Sequence, residues 1–217
     1  MTLAYDLFWS FRSPYSYLIT HRLVALERDF DVKGVIRPVY PLAVRTPEFF
    51  DGRDVLWYSY LQMDIRREAE FLGVPIRWPR PDPVFMDPAT RTYPKEQPHI
   101  HRLTRLGAAA AERGRGLQYL YEVSKVIWSG TVDNWHEGDH LARAAERAGL
   151  DAGELAAAVD AEALRLHEVV EQNQVAQRAA GHYGVPMIAF GGEPFFGQDR
   201  FDQFKWRLEQ HGLKPRA

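Results

Sequence analysis

Cysteine is absent from all 217 residues. This one absence removes structural disulfides, thiolate–zinc sites, iron–sulfur clusters and every mechanism that uses a cysteine nucleophile. An excess of either charge is missing too: 27 Lys and Arg stand against 29 Asp and Glu, for a net charge of −2. Nucleic-acid binders carry a basic excess, so no nucleic-acid partner is expected. No uncharged apolar run approaches the roughly 20 residues of a membrane span. The start, Met1 to Asp6, has no basic residues ahead of a long apolar stretch, so it does not read as a signal peptide. The expectation is a soluble, cytoplasmic protein with no membrane partner. Internal repeats and low-complexity linkers are also lacking. That leaves one large domain, or one domain carrying an insertion.

What is present falls into three blocks. Residues 5–11 are aromatic-rich and read as a buried strand. Pro14 follows where a helix tolerates proline, because the first-turn N–H lacks a partner anyway. Leu18, Leu23, Val24 and Leu26 then recur at helical spacing, and residues 32–40 alternate toward a second strand. A crossover of that length favours a parallel pair. From about 46 to 181 the pattern is helical, with predicted helices at 57–72, 99–113, 116–128, 138–148, 152–158 and 160–180, and a proline-rich break at 75–88. Residues 185–190 read as a strand, Gly191-Gly192 as a hairpin turn, and 194–196 as a short edge strand before a closing helix with Asp199 as its cap. The order βαβ, helical block, ββα predicts an α/β thioredoxin-like fold. Residues 1–45 and 182–217 would form the thioredoxin-like domain, and 46–181 an all-helical insertion between its halves.

The junction of strand one and helix one reads Ser13-Pro14-Tyr15-Ser16. Thioredoxin-like enzymes place Cys-x-x-Cys there, where the helix N-terminus supplies about half a positive charge and unpaired N–H groups that stabilise a thiolate. Hydroxyls cannot cycle as a disulfide, so dithiol redox chemistry is excluded. Two roles remain for Ser13: a helix cap, or a donor to a thiolate carried in by a ligand. Val185-Pro186 stands where such folds carry a cis proline, and the residue before it can pair with a peptide as an added strand would. Asp199 and Arg200 suit a zwitterionic amino acid group, or equally a cap beside a solvated arginine.

Ser13-Pro14-Tyr15-Ser16-Tyr17-Leu18 resembles the Ser-Pro-[Tyr/Phe]-Ser-[Tyr/Trp]-Leu signature of 2-hydroxychromene-2-carboxylate isomerases and kappa-class glutathione transferases. Tyr60 to Arg66, Val74 to Pro79 and Phe196 to Arg200 are similar to three further motifs of that family, in the same order. The resemblance implies a thioredoxin-like, DsbA-related fold, glutathione as cofactor, a homodimer and a small aromatic substrate. It implies that Ser13 hydrogen-bonds the glutathione sulfur and that Val185, before Pro186, pairs with the cysteinyl backbone. Gln198 and Asp199 would hold the γ-glutamyl end with Arg200 alongside, and Tyr15 would join these contacts. The implied activity is isomerisation of an aromatic conjugated acid by thiolate addition, bond rotation and elimination. The alternatives are a transferase or peroxidase acting on an electrophile, and a non-catalytic thiol-peptide binder.

Departures from the family pattern fall on the side of the second substrate. Arg45 stands for a family lysine, and Gln97, followed by Pro98, for an asparagine. Tyr93, Trp128 and Trp135, with Phe49 and Phe50, are the candidate aromatic walls of the substrate pocket, or else simply core. His136-Glu137-Gly138-Asp139-His140 matches the His-Glu-x-x-His zinc pattern, but Gly138 is a poor helix residue and Asp139 reads as a cap. The two imidazoles are therefore not expected to share a face, and no metal site is expected.

Overall fold

Leu3–Trp9 forms β1, Pro14–Asp29 forms α1 and Val32–Pro38 forms β2 in the computed structural model, which describes residues 2–50, 52–90 and 92–216. β1 and β2 are parallel, in a register running from Leu3 opposite Val32 to Trp9 opposite Pro38. The last two residues of the predicted first strand, Ser10 and Phe11, leave the sheet. The Ser13 N–H bonds the Ser10 carbonyl at 3.1 Å, and this turn aims the chain into α1. Phe11 is fully buried and makes an edge contact with Trp9, ring centroids 4.7 Å apart.

The chain returns to the sheet as β3 (Met187–Phe190) and β4 (Glu193–Phe196), giving the order β2-β1-β3-β4. β3 runs antiparallel to both β1 and β4. It begins two residues later than the pattern predicts, since Pro186 has no N–H to give a ladder. Gly191 and Gly192 turn the hairpin with φ of 60° and 82°, the left-handed pair that a two-residue turn of this hand requires. A short 3₁₀ turn, Gln198–Arg200, leads into the closing helix Phe201–Gln210. Asp199 is not its cap as expected: it sits inside the 3₁₀ turn, and no side-chain bond caps the helix.

Between the halves lie α2 (Leu42–Arg45), a 3₁₀ turn (Pro47–Phe50), α3 (Val55–Leu72), α4 (Ile100–Glu112), α5 (Gly116–Trp128), α6 (His140–Arg147), α7 (Ala152–Ala161) and α8 (Ala163–Ala179). The closing helix is thus α9. The predicted helices are present, with the α7–α8 break at Glu162. α4, α5 and α8 lie against β2, and α5 also against α1. Gly107 of α4 permits this approach, because a Cβ there would meet the Phe11 ring at 2.9 Å. One apolar core therefore runs from Leu7 and Leu18 of the first unit through Leu103, Leu120 and Trp128 of the helical block to Phe204 of α9.

Four imidazoles are built into this packing. His21 lies edge-on to Tyr17 and Tyr121, His99 against Trp135 and His136, His101 against Tyr40, and His182 flat on Phe196. Burial lowers the pKa of each, helped by Lys125 at His21, by His136 at His99, and by Arg105 and His167 at His101. Below the ordinary value of 6.5 the unfolded chain takes up protons that the folded chain refuses. Stability is therefore complete above that pH and is lost as pH falls toward the lowered folded values. Thermal unfolding followed by circular dichroism is expected to show a falling midpoint between neutrality and mild acid. Replacing His21 with Gln should flatten part of the slope, and an unchanged slope would contradict this account.

Candidate functional site

Ser13 is the N-cap of α1, in extended backbone, with Pro14 in the first turn. Its Oγ accepts the Ser16 N–H at 3.1 Å and lies 3.4 Å from the Val185 carbonyl, to which it donates. The Val185–Pro186 bond is cis and faces this helix start. Ser16, at the second Cys position of the redox motif, is fully buried, and its hydroxyl has no partner. In the first turn of α1, the Tyr15 hydroxyl donates to Asp64 of α3 at 2.6 Å. Burial, then that bond, raises the Tyr15 pKa. At Asp64 burial pushes the other way, but the bonds from Tyr15 and Arg67 prevail and hold its carboxyl below the usual range.

Two cavities meet at this point and share Tyr15, Val185 and Phe196 as walls. One, of about 490 Å³, is polar and lined by Asp64, Arg67, Gln198, Asp199 and Arg200. Gln198 donates to Glu68 at 2.6 Å, while its buried Oε1 is left without a partner. Asp199 and Arg200 are exposed and paired at 3.3 Å. The second cavity, of about 370 Å³, is walled by Phe49, Phe50, Trp57, Trp78 and Tyr183, with Ser13 at its floor. A third depression, of about 470 Å³, lies between α1, α5 and α6, where Glu122 already closes on Lys125 (2.7 Å) and Arg147 (2.6 Å).

The structure thus brings Ser13, Tyr15, Val185, Gln198, Asp199 and Arg200 around one groove, with Phe49 on the adjoining wall. The other substrate-side candidates lie elsewhere. Arg45 ends α2 with its guanidinium turned toward α8, donates to the Tyr183 carbonyl at 2.5 Å, and lines a separate depression with Glu171 and Arg178. Burial and Arg178 lower its pKa to about 10. Gln97 clips the proline-rich loop: its Oε1 accepts the Phe85 N–H at 2.7 Å, and its Nε2 donates to the Phe85 and Pro94 carbonyls. Trp128 is buried in the core, its indole N–H donating to the Phe11 carbonyl at 2.9 Å. Tyr93 lies outside the aromatic cavity, with the guanidinium of Arg12 over its ring. His136 sits in a turn, and α6 starts at His140, so these two imidazoles do not share a helix face. Sequence reasoning missed Arg12, Trp57, Trp78 and His182 on the cavity wall. Arg12 alone carried a signal, a charge set between Phe11 and the Ser13 turn.

A four-stranded β2-β1-β3-β4 sheet with a helix start facing a cis proline, and helices inserted between βαβ and ββα units, is the thioredoxin-like arrangement. Residues 5–209 match the DSBA-like thioredoxin domain model, and the chain belongs to that family. Comparison with curated proteins finds no significant match. Among solved structures, it is similar to a 2-hydroxychromene-2-carboxylate isomerase (20% identity, 96% of this chain and 95% of that one, TM-score 0.72). It is also similar to a probable DsbA oxidoreductase from Streptomyces coelicolor (18%, 96% and 89%, 0.64). A third is the cytosolic disulfide reductase DsbM from Pseudomonas aeruginosa, in a structure with GSH (14%, 96% and 98%, 0.58). At these identities the likeness is one of fold. Without cysteine, this chain cannot perform the dithiol chemistry that the latter two names describe.

Proposed function

We propose that the protein is a glutathione-dependent isomerase of the 2-hydroxychromene-2-carboxylate type, cytoplasmic and homodimeric, acting on an aromatic conjugated acid. The observation that carries this reading is Ser13: a hydroxyl at a helix N-terminus opposite a cis proline, in a chain with no thiol of its own. Such a place favours an anion that arrives with a ligand. The resident groups fit the tripeptide. Gln198 Oε1 is a buried acceptor with nothing to accept, which suits an ammonium, and Asp199 adds a carboxylate beside it. Val185, outside the sheet, can align with a peptide backbone.

Bound glutathione would supply a thiolate that adds to the conjugated substrate, lets the bond rotate and leaves by elimination. The Ser13 hydroxyl steadies the negative charge, and the helix start favours it further. The aromatic cavity holds the flat substrate beside Ser13 and keeps water away from it.

Calorimetry tests the binding half directly. One molecule of reduced glutathione is expected to bind per chain, about tenfold more weakly after Asp199→Ala, the loss of one charge-assisted bond. A flat titration at millimolar glutathione would reject the reading. Turnover of neutral electrophiles in place of conjugated acids would instead indicate a transferase.

A further inference from the structure

The aromatic cavity contains one formally charged side chain among its described lining residues, Arg12. Its side chain is 17% exposed, and its position is fixed: Nε and Nη2 donate to the two Asp82 oxygens at 2.9 and 3.0 Å. The guanidinium also sits 5.8 Å from the ring centres of both Trp78 and Tyr93. Arg12 lines both this cavity and the neighbouring one, whereas Asp82 lines only the neighbour, so from the aromatic cavity the cation is met and its carboxylate is not.

Asp82 does not spend its charge on Arg12 alone. It also accepts the Val84 N–H at 2.9 Å and the Trp78 indole N–H at 3.2 Å. Four donors thus share one negative charge, while Arg12 faces a single anion. A guanidinium has five N–H bonds. Among the described residues no hydrogen bond within 3.5 Å engages the two on Nη1, and that nitrogen is not sealed from solvent. Against burial, which lowers the Arg12 pKa, Asp82 raises it, and the Tyr93 hydroxyl lies near enough to help. Ser10, on the same wall, has a buried hydroxyl with no partner. Arg12 also immediately precedes the N-cap of α1, so the helix dipole adds to its field.

The other cations nearby do not compete. Arg53 lies over the rings of Phe49 and Trp57 and donates to the Phe49 carbonyl, without lining the cavity. Arg45 has turned away to α8. His182 stacks on Phe196, and its Nδ1 accepts the Gly184 N–H.

We propose that Arg12 is the specificity-determining residue for the second substrate. Its free guanidinium edge, with the Ser10 hydroxyl, takes the carboxylate of an aromatic conjugated acid whose ring lies between Phe49, Phe50, Trp57 and Trp78. Asp82 is the positioning residue that holds this edge toward the cavity. The inference rests on the isomerase reading for the reaction that follows, but the binding can be measured apart from it.

The test is calorimetric titration with trans-cinnamate and with its methyl ester, in the absence and presence of glutathione. The wild type is expected to prefer the acid to the ester. In Arg12→Met the acid should weaken about tenfold to a hundredfold, with the ester little changed. Because Arg12→Met strands the Asp82 charge, Arg12→Met/Asp82→Asn supplies a second variant without that burden. It should show the same lost preference. Damage to the fold would lower both ligands together, so the acid-to-ester ratio separates recognition from structure. An unchanged ratio in both variants, or no cinnamate binding by the wild type, overturns the proposal. If glutathione fails to bind while the ratio still depends on Arg12, the isomerase reading falls and the carboxylate site stands.

Discussion

Replacing Ser13 with alanine is expected to slow turnover by about ten- to a hundredfold while glutathione still binds. The lost interaction is one hydrogen bond to a charged sulfur, about 1.5–3 kcal/mol, which is that span in rate. An unperturbed thiol has a pKa near ~8.5. The α1 start and the Ser13 hydroxyl should both lower it for a thiol bound there, and the variant keeps only the helix. Ultraviolet absorbance of the thiolate, followed against pH, should therefore move to higher pH in the variant. In the proposed binding mode Val185 would hold the cysteinyl backbone and the Gln198–Asp199 turn the γ-glutamyl end, so affinity should change less than kcat. Superimposed titrations with unchanged turnover would reduce Ser13 to the cap it already forms with the Ser16 N–H.

Phe204→Ala is expected to give the largest loss of stability. Its ring is fully buried and meets Tyr5, Phe190, Phe195 and Phe201, with ring centroids 5.1–6.4 Å away. Truncating a buried phenylalanine costs about 3–5 kcal/mol, through lost transfer energy and the cavity left behind. For a chain of this size the midpoint of thermal unfolding should drop by roughly 6–20 °C. Because α9 carries the Gln198–Arg200 turn on its N-terminal side, glutathione affinity should fall with it. A drop of only a few degrees, measured calorimetrically, would mean that α9 packs more loosely than its contacts indicate.

Much of the fold was legible because its signals are local. Pro14 after Ser13, the Gly191-Gly192 turn and the helical spacing in 116–128 each act within a few residues. The polar half of the candidate groove was legible for the same reason, through the Ser13 turn and the 196–200 segment. The aromatic wall was not. Trp57 and Trp78 reach the cavity only because α3 and the proline-rich loop fold back over the start of α1, and helical spacing cannot tell a cavity wall from core. Trp128 and Trp78 are equally apolar in sequence, yet Trp128 is sealed inside while Trp78 is 40% exposed. Arg45 shows the same limit for charge. The position in the chain is the expected one, but the last residue of a four-residue helix turns its side chain toward α8 and donates to the Tyr183 carbonyl beyond it. Residue type makes Asp199 a cap, but it sits inside the 3₁₀ turn Gln198–Arg200 that precedes α9.

The central seam of the sheet pairs Asp6 with Ala189 and Phe8 with Met187, so β1 waits for a partner from the far end of the chain. Closing so long a loop comes late, since the entropy is lost before the contacts repay it. The two sides of the candidate groove, Ser13 and Val185, lie on opposite sides of that seam. A chain emerging from the ribosome can form α1 and the helical block early, but both sides of the candidate groove are in place only once β3 and β4 have followed. Docking of β3 onto β1 and assembly of the candidate groove are therefore one event.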